Sequence, residues 1–383
     1  MALNDNRIMI VGVGGAGCKI VSKLHDTVPS GPRTAVISTD SKALSGSSVP
    51  ARIQIGSVQT GGLGAGGNPE IGNQSALDDA EMLRGLFSDV GIVIVVAGLG
   101  GGTGTGATPV VLDMARERGA LTICFATRPF NFEGHHRSKV ADEQIEKLAK
   151  SSDMLIMLSN DLMLEFISEA NMGEAFAKVD DIVINGICAV WMMVARPGLI
   201  NLDFADLQRV VQNSEGVCVF GYGDARGSER GKEAVRQILD SPLLEKGKTL
   251  EKAKALLVSI IGGHDMLIRD VDEVIKKIRE KASADAEFFM GTIMDEDWKD
   301  RLTVTVIAAM EWSIPEEKGK EPSERKEVKS QSGGRKGKQN KQGNLDFSAF
   351  PDKGRFKGMG GTIMNGEDLD IPTYYRKGIE IGK

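Results

Sequence analysis

Gly98-Leu99-Gly100-Gly101-Gly102-Thr103-Gly104-Thr105-Gly106 follows an unbroken apolar run, Ile92–Ala97, and leads into a helical pattern over Thr108–Arg118. A run of six residues without polar alternation suits a strand buried on both faces. A glycine-rich turn between such a strand and a helix lets backbone N–H groups approach an anion closely at the positive end of the helix. Two other segments share this design. Gly12-Val13-Gly14-Gly15-Ala16-Gly17 leaves the apolar run Ile8–Val13 and opens a helix over Gly17–Leu24. Gly61-Gly62-Leu63-Gly64-Ala65-Gly66-Gly67-Asn68-Pro69 follows the short run Arg52–Ile55. One such loop is a weak signal, but three at the same edge of one sheet imply a cradle for a polyphosphate.

The runs Ala35–Thr39, Leu121–Ala126 and Met154–Leu158 alternate with helical stretches Ser75–Leu86 and Ser138–Lys150. That pattern predicts an α/β fold with a doubly wound, mostly parallel sheet. Pro109 falls in the first turn of the helix predicted from Thr108, where its missing N–H costs nothing. Glu174–Ala195 breaks the alternation. It makes about six turns of helix, apolar on most faces, so it must be buried; Pro197-Gly198 ends it. Beyond it, Val217–Tyr222, Lys232–Leu239, Leu256–Ile261, Val271–Ala282, Glu287–Ile293 and Leu302–Met310 read as a second, smaller mixed α/β domain. From Pro315 to Asn344 the only aliphatic side chain is Val328, and Lys and Arg outnumber Glu by 9 to 5. Such a segment cannot bury enough surface to offset its ordering entropy. The expected organisation is therefore a first domain over 1–173, a central core helix over 174–197, a second domain over 198–313, a disordered linker over 314–366 and a docking peptide over 367–383. Apolar residues that return at the end of a disordered linker usually mark such a peptide.

Bulk properties narrow the function. The chain has 383 residues, 41% hydrophobic and 26% charged, a soluble globular balance with room for two domains. A net charge of −6 argues against a surface built to bind nucleic acid. No apolar stretch approaches the roughly 20 residues of a membrane helix, and the residues before Ile8 carry no basic region or cleavage site. Cys18, Cys124, Cys188 and Cys218 lie far apart in apolar or glycine-rich segments, the pattern of reduced, mostly buried thiols. The four histidines have no metal-ligand spacing. These features predict a cytoplasmic protein whose own side chains hold no metal.

The first loop alone leaves the ligand open. Gly12, Gly14 and Gly17 match G-x-G-x-x-G, and Asp40 follows 23 residues after Gly17, as in a nicotinamide or flavin enzyme. It is not a P-loop, because Cys18-Lys19-Ile20 stands in place of G-K-[ST]. The run Gly100–Gly106 decides between them: Gly-Gly-Gly-Thr-Gly-Thr-Gly is the signature of the tubulin/FtsZ family. The chain resembles the bacterial FtsZ family from residue 7 to about 313 and again at 367–377. Thr60–Gly72, Arg128–Gly134, Pro197–Leu207 and Ser241–Leu244 carry further likeness.

The resemblance implies a GTPase that polymerises head to tail into filaments and forms the division ring at midcell. It implies that Gly14, Gly15, Ala16 and Gly17, with Gly101, Gly102, Thr103, Gly104, Thr105 and Gly106, hold the α- and β-phosphates of GTP or GDP. Ala65, Gly66, Gly67 and Asn68 would sense the γ-phosphate. Glu133 and Arg137 match ribose and phosphate contacts, Asn160 and Asp180 the guanine readers, and Phe176 the aromatic that packs on the base. A carboxylate can accept from both N1–H and the 2-amino group of guanine, a donor pair adenine lacks. Asp203 and Asp206 share one face of a helical first turn, and by spacing alone they suit a helix cap. The resemblance gives them, with Asn201, the catalytic role: they polarise water in the nucleotide pocket of the adjacent subunit. Mg²⁺ would be bound largely through the nucleotide and water. Leu369, Ile371, Tyr374 and Arg376 would dock membrane tethers and regulatory division proteins, so contact with the membrane is indirect. The alternative is a scaffold of the same family that binds GTP with little turnover; intact Asn201, Asp203 and Asp206 count against it. The chain departs from the family pattern at Lys19 and Ser38 (each usually Asn), at Leu162 (usually Arg), and at His135-His136, where two basic residues are usual.

Overall fold

The computed structural model describes residues 7–29, 31–164, 171–196, 198–200, 202, 206–207, 209–210, 217–310, 363–364 and 367–368. The chain divides into two units, 1–316 and 317–383. In the second, Ile363–Met364 pairs antiparallel with Glu367–Asp368. Leu369, Ile371, Tyr374 and Arg376 lie outside the described residues.

In the first unit ten strands form one sheet. They are β1 (Ile8–Val13), β2 (Arg33–Ser38), β3 (Ala51–Gln54), β4 (Ile92–Gly98), β5 (Leu121–Arg128), β6 (Met154–Ser159), β7 (Val217–Arg226), β8 (Ala255–Gly262), β9 (Glu287–Met294) and β10 (Arg301–Ala309). Their spatial order is β3-β2-β1-β4-β5-β6-β7-β10-β8-β9. From β3 to β7 every pairing is parallel, whereas β10 runs antiparallel to both β7 and β8. Among the described residues two pairs, Leu155–Val217 and Ile156–Cys218, join β6 to β7.

The helices are α1 (Gly14–Thr27), α2 (Ser41–Ser45), α3 (Ser57–Thr60), α4 (Pro69–Asp78), α5 (Ala80–Leu86), α6 (Thr103–Glu117), α7 (His135–Ser151), α8 (Asn160–Leu164), α9 (Met172–Ala195), α10 (Arg230–Leu239) and α11 (Ile268–Lys281). Side chains of a strand alternate between faces, and β1 shows what that does here. Ile8 and Ile10 enter one core with α1 and α9, while Met9, Val11 and Val13 enter a second with α6 and α7. With both faces covered, β1 is buried throughout, as its unbroken apolar run requires.

α9 is the longest helix among the described residues. Asn171 accepts the Glu174 N–H at 3.0 Å while Glu174 accepts the Asn171 N–H at 3.2 Å, a reciprocal cap. Arg196 then leaves the helix with extended backbone, as a residue before proline must. Between these ends α9 packs in one core with Phe125 of β5, Phe220 of β7 and Leu257 of β8. A Cβ on Gly186 would stand 2.9 Å from the Phe220 ring and 3.1 Å from that of Phe125.

Two expectations need correction. The helix after the third glycine loop starts at Thr103, so Pro109 lies inside it and not in its first turn. The loop itself winds into helix: Gly106 N–H donates to Gly102 O at 2.9 Å, and the Thr108 hydroxyl donates to Gly104 O at 2.5 Å. The stretch Ser75–Leu86 is not one helix but the end of α4 followed by α5. Asp79 departs from helical dihedrals (φ −102°, ψ 24°), and its carboxylate accepts the Gly56 N–H at 2.7 Å.

Candidate functional site

Strand order 3-2-1-4-5-6 reverses direction between β1 and β4, and open α/β sheets bind ligands at the carboxyl ends of their strands beside such a reversal. A cleft of about 400 Å³ lies there. Its glycine floor depends on close backbone approach. Gly14 holds φ +74°, and a Cβ on it would stand 2.7 Å from Gly104 N, so the loops opening α1 and α6 interlock only without side chains. A Cβ on Gly106 would stand 1.8 Å from Pro69 O, which presses α6 against α4.

Neither α1 nor α6 has a side-chain cap at its N-terminus, and neither carries an acid in its first turn. The first N–H groups of a helix have no intrahelical partner. Two such helix ends therefore present unclaimed donors and positive dipole ends to one cleft, the chemistry of a phosphate site.

Of the residues predicted to hold the nucleotide, Gly15, Ala16, Ala65, Gly67, Gly101, Gly102, Thr103, Gly104, Glu133, Arg137, Asn160, Phe176 and Asp180 line the cleft. Gly14, Gly17, Gly66, Thr105 and Gly106 do not line it. Gly14 and Gly106 set the backbone packing described above, and Thr105 accepts the Gly100 N–H at 2.9 Å. Thr103 shares a hydrogen bond of 2.6 Å with Thr39.

Glu133 is oriented by two donors: the Phe130 N–H reaches Oε1 at 3.0 Å and Arg137 Nη1 reaches Oε2 at 2.7 Å. Phe176 stands edge-on to Phe130, with ring centroids 4.9 Å apart. Asn160 and Asp180 are both buried. Asn160 Oδ1 has no hydrogen-bond partner among the described residues, which leaves a buried acceptor able to take a donor from a bound molecule. Asp180 is paired with Lys19 at 2.8 Å. The sequence marks Lys19 only as a departure; its partner 161 positions away could not be read from local pattern. Ser38, Asp40 and Thr127 also line the cleft. Asp40, the acid that completes a dinucleotide fingerprint, accepts the Lys42 N–H at 2.9 Å as the cap of α2.

Asn201 and Asp203 lie outside the described residues. Asp206 is described, is half-buried, and does not line the cleft. The segment leading to it is tied to β9: Leu199 N–H donates to Thr292 O at 2.9 Å, Thr292 N–H to Ile200 O at 3.0 Å, and Ile200 N–H to Thr292 Oγ1 at 3.1 Å. Leu207 and Val210 anchor its far side in the core shared with α9.

The thiols carry no sign of use. Cys18 and Cys124 are buried, and burial pushes each up to about 12; Cys188 is raised to about 11 by the same cause. Among the described residues no three His, Cys, Asp or Glu side chains cluster as a metal site, and no helix is long and apolar enough to cross a membrane.

A doubly wound sheet extended by a mixed half, with glycine loops and two uncapped helices facing one cleft, defines a tubulin-like nucleotide-binding protein. Residues 7–168 match the Tubulin/FtsZ family, GTPase domain, and residues 216–310 the FtsZ family, C-terminal domain. The chain is 38% identical to the cell division protein FtsZ of Aquifex aeolicus over 317 residues, covering 82% of this chain and 85% of that protein. It is 39% identical to FtsZ of Pseudomonas putida over 302 residues, 79% of this chain and 75% of that one. An empty FtsZ dimer from M. jannaschii superposes with a TM-score of 0.74 at 34% identity, over 79% of this chain and 88% of that chain. The chain belongs to the FtsZ family of tubulin-like cell-division GTPases.

Proposed function

We propose that this chain binds GTP in the cleft and hydrolyses it only when a second copy stacks on the first. In this reading the α1 and α6 loops grip the phosphates, Glu133 accepts from ribose hydroxyls, and Asn160 and Asp180 read the guanine edge. Asn201, Asp203 and Asp206 of the adjacent copy then position a water at the γ-phosphate. Phosphoryl transfer needs placement and charge stabilisation more than covalent chemistry. Mg²⁺ would enter with the phosphates, which it neutralises.

One observation carries the reading. Phe176 and Asp180 lie in the first turns of α9, and the acidic segment follows its other end. From Asp180 to Ala195 the helix rises about 22 Å. In this reading the acids that follow α9 serve, through a head-to-tail contact, the nucleotide of the next copy and not that of their own chain. Such a contact does not close, so it builds a filament. Exposed apolar side chains at both ends support stacking: Leu63, next to Gly64 of the cleft, and Leu199, Leu267 and Ile268 around a groove of about 350 Å³ near the acidic segment. The filament would form the division ring in the cytoplasm at midcell. The C-terminal peptide would recruit tethers and regulators through Leu369, Ile371, Tyr374 and Arg376, with the linker leaving filament geometry free. The parsing into domains over 1–173 and 198–313 around the helix belongs to the same proposal.

Turnover per subunit should rise with protein concentration and vanish on dilution below an assembly threshold. A specific activity that stays constant across that dilution would overturn the mechanism.

A further inference from the structure

The base end of the cleft holds an ion pair that the glycine loops do not require. Lys19 Nζ lies 2.8 Å from Asp180 Oδ2 and 6.0 Å from the centroid of the Phe176 ring. Lys19 does not itself line the cleft, but its partner Asp180 does. The Asp180 side chain is 10% exposed and that of Lys19 60%. Asn160, whose Oδ1 has no partner among the described residues, lines the same cleft as Asp180. One turn further along α1, Lys23 makes a bond of the same kind to Asp181, 2.6 Å long and outside the cleft.

The carboxylate and Asn160 Oδ1 are acceptors, and any purine amino group can donate to an acceptor. Acceptors alone therefore rank purines only by how many N–H groups they present. A cation attached to the carboxylate changes the selection. In guanine the N1–H donor is flanked by the O6 acceptor, so a carboxylate that takes N1–H has O6 beside it. An ammonium held on that carboxylate reaches O6. A 6-amino group there would meet the ammonium donor to donor, and unpaired buried polar groups are what make polar sites selective.

We propose that Lys19 is a specificity-determining residue that reads the carbonyl at purine C6, with Asp180 holding its ammonium in place. This inference rests on the guanine-nucleotide reading above. Its rival is that Lys19–Asp180 only staples α1 to α9, as Lys23–Asp181 does.

The test is calorimetric titration of the full chain with three diphosphates, which keeps γ-phosphate-dependent assembly out of the measurement. GDP is compared with 6-thio-GDP, in which a larger and weaker sulfur acceptor replaces the oxygen at C6, and with IDP, which lacks only the 2-amino group. Lys19→Met should weaken GDP binding about tenfold, the scale of a charged hydrogen bond. It should bring the GDP over 6-thio-GDP preference close to one while leaving the GDP over IDP preference unchanged. Lys19→Arg, which keeps the cation, should retain the preference at C6, and Lys23→Met should alter neither ratio. If Lys19→Met leaves the GDP to 6-thio-GDP ratio as in the parent, however far both affinities fall, the pair is a staple and the proposal fails alone. If the parent chain binds no GDP, the guanine-nucleotide reading fails first and takes this proposal with it.

Discussion

Where α9 begins, the chain surrounds a cleft whose polar side chains are already held: Glu133 by two donors, Asp180 by Lys19, and Thr103 by Thr39. Where α9 ends, the segment leading to the acids is tied to β9 through Thr292, Asp206 is half-buried and does not line the cleft, and Leu199, Leu267 and Ile268 lie exposed. One end is prepared to hold a ligand; the other displays apolar side chains outward. Preorganised polar groups are what a binding site needs, whereas an apolar surface displayed outward suits contact with another molecule. Under the proposed function binding and turnover are separable in this chain, and substitutions at the two ends should separate them.

The largest expected effect is at the far end. Asp203→Ala should lower GTP turnover by about a hundredfold or more, the usual scale for losing a proton-accepting or water-positioning group, while GDP affinity by calorimetry stays within about twofold of the parent. A parallel loss of affinity would erase the distinction between the ends. Asp180→Ala should give the reverse pattern, weakening GDP binding by about ten- to a hundredfold, the scale of charged hydrogen bonds lost in a buried site. Unchanged GDP affinity in that variant would remove the near end from base recognition.

A smaller effect should appear in how the far end is braced. Arg230, nearly buried, donates to Asp265 Oδ2 at 2.6 Å and to Asp270 Oδ2 at 3.0 Å, holding the turn that carries Leu267 and Ile268. The hydrogen bond from Arg230 holds the Asp265 carboxyl below its ordinary value of 3.8. A carboxyl lowered by folding stabilises the fold above its unfolded value, and that contribution is lost as pH falls through the folded one. Asp265→Asn should therefore melt below the parent at about pH 7, with the gap closing as the pH drops below about 4. A gap that stays constant down to acid would show that the charge plays no part.

The fold was legible where local pattern and burial coincide. The six apolar residues of β1 can belong only to a strand covered on both faces, and the glycine loops declared their anion chemistry before any geometry was known. What escaped depended on distant partners. Asp79 breaks α4 from α5 while binding the Gly56 N–H, 23 residues away. Pro109 reads as a helix start by its local preference, yet α6 already begins at Thr103, where its glycines lie against Pro69 and Asn73. The two-pair junction of β6 with β7 leaves almost no trace in sequence. At the site, residue types named most of the side chains and glycines that line the cleft, but the pairing of Lys19 with Asp180 required α1 and α9 to be brought together.

The most direct measurement mixes two chains that are each inactive. Asp203→Ala keeps its cleft and Asp180→Ala keeps its acids, so at a GTP concentration too low to fill the Asp180→Ala cleft neither should turn over alone. Mixed, an intact cleft meets an intact acidic segment across the contact, and hydrolysis should return to a sizeable fraction of the parent rate. A mixture no more active than its two components would contradict the account.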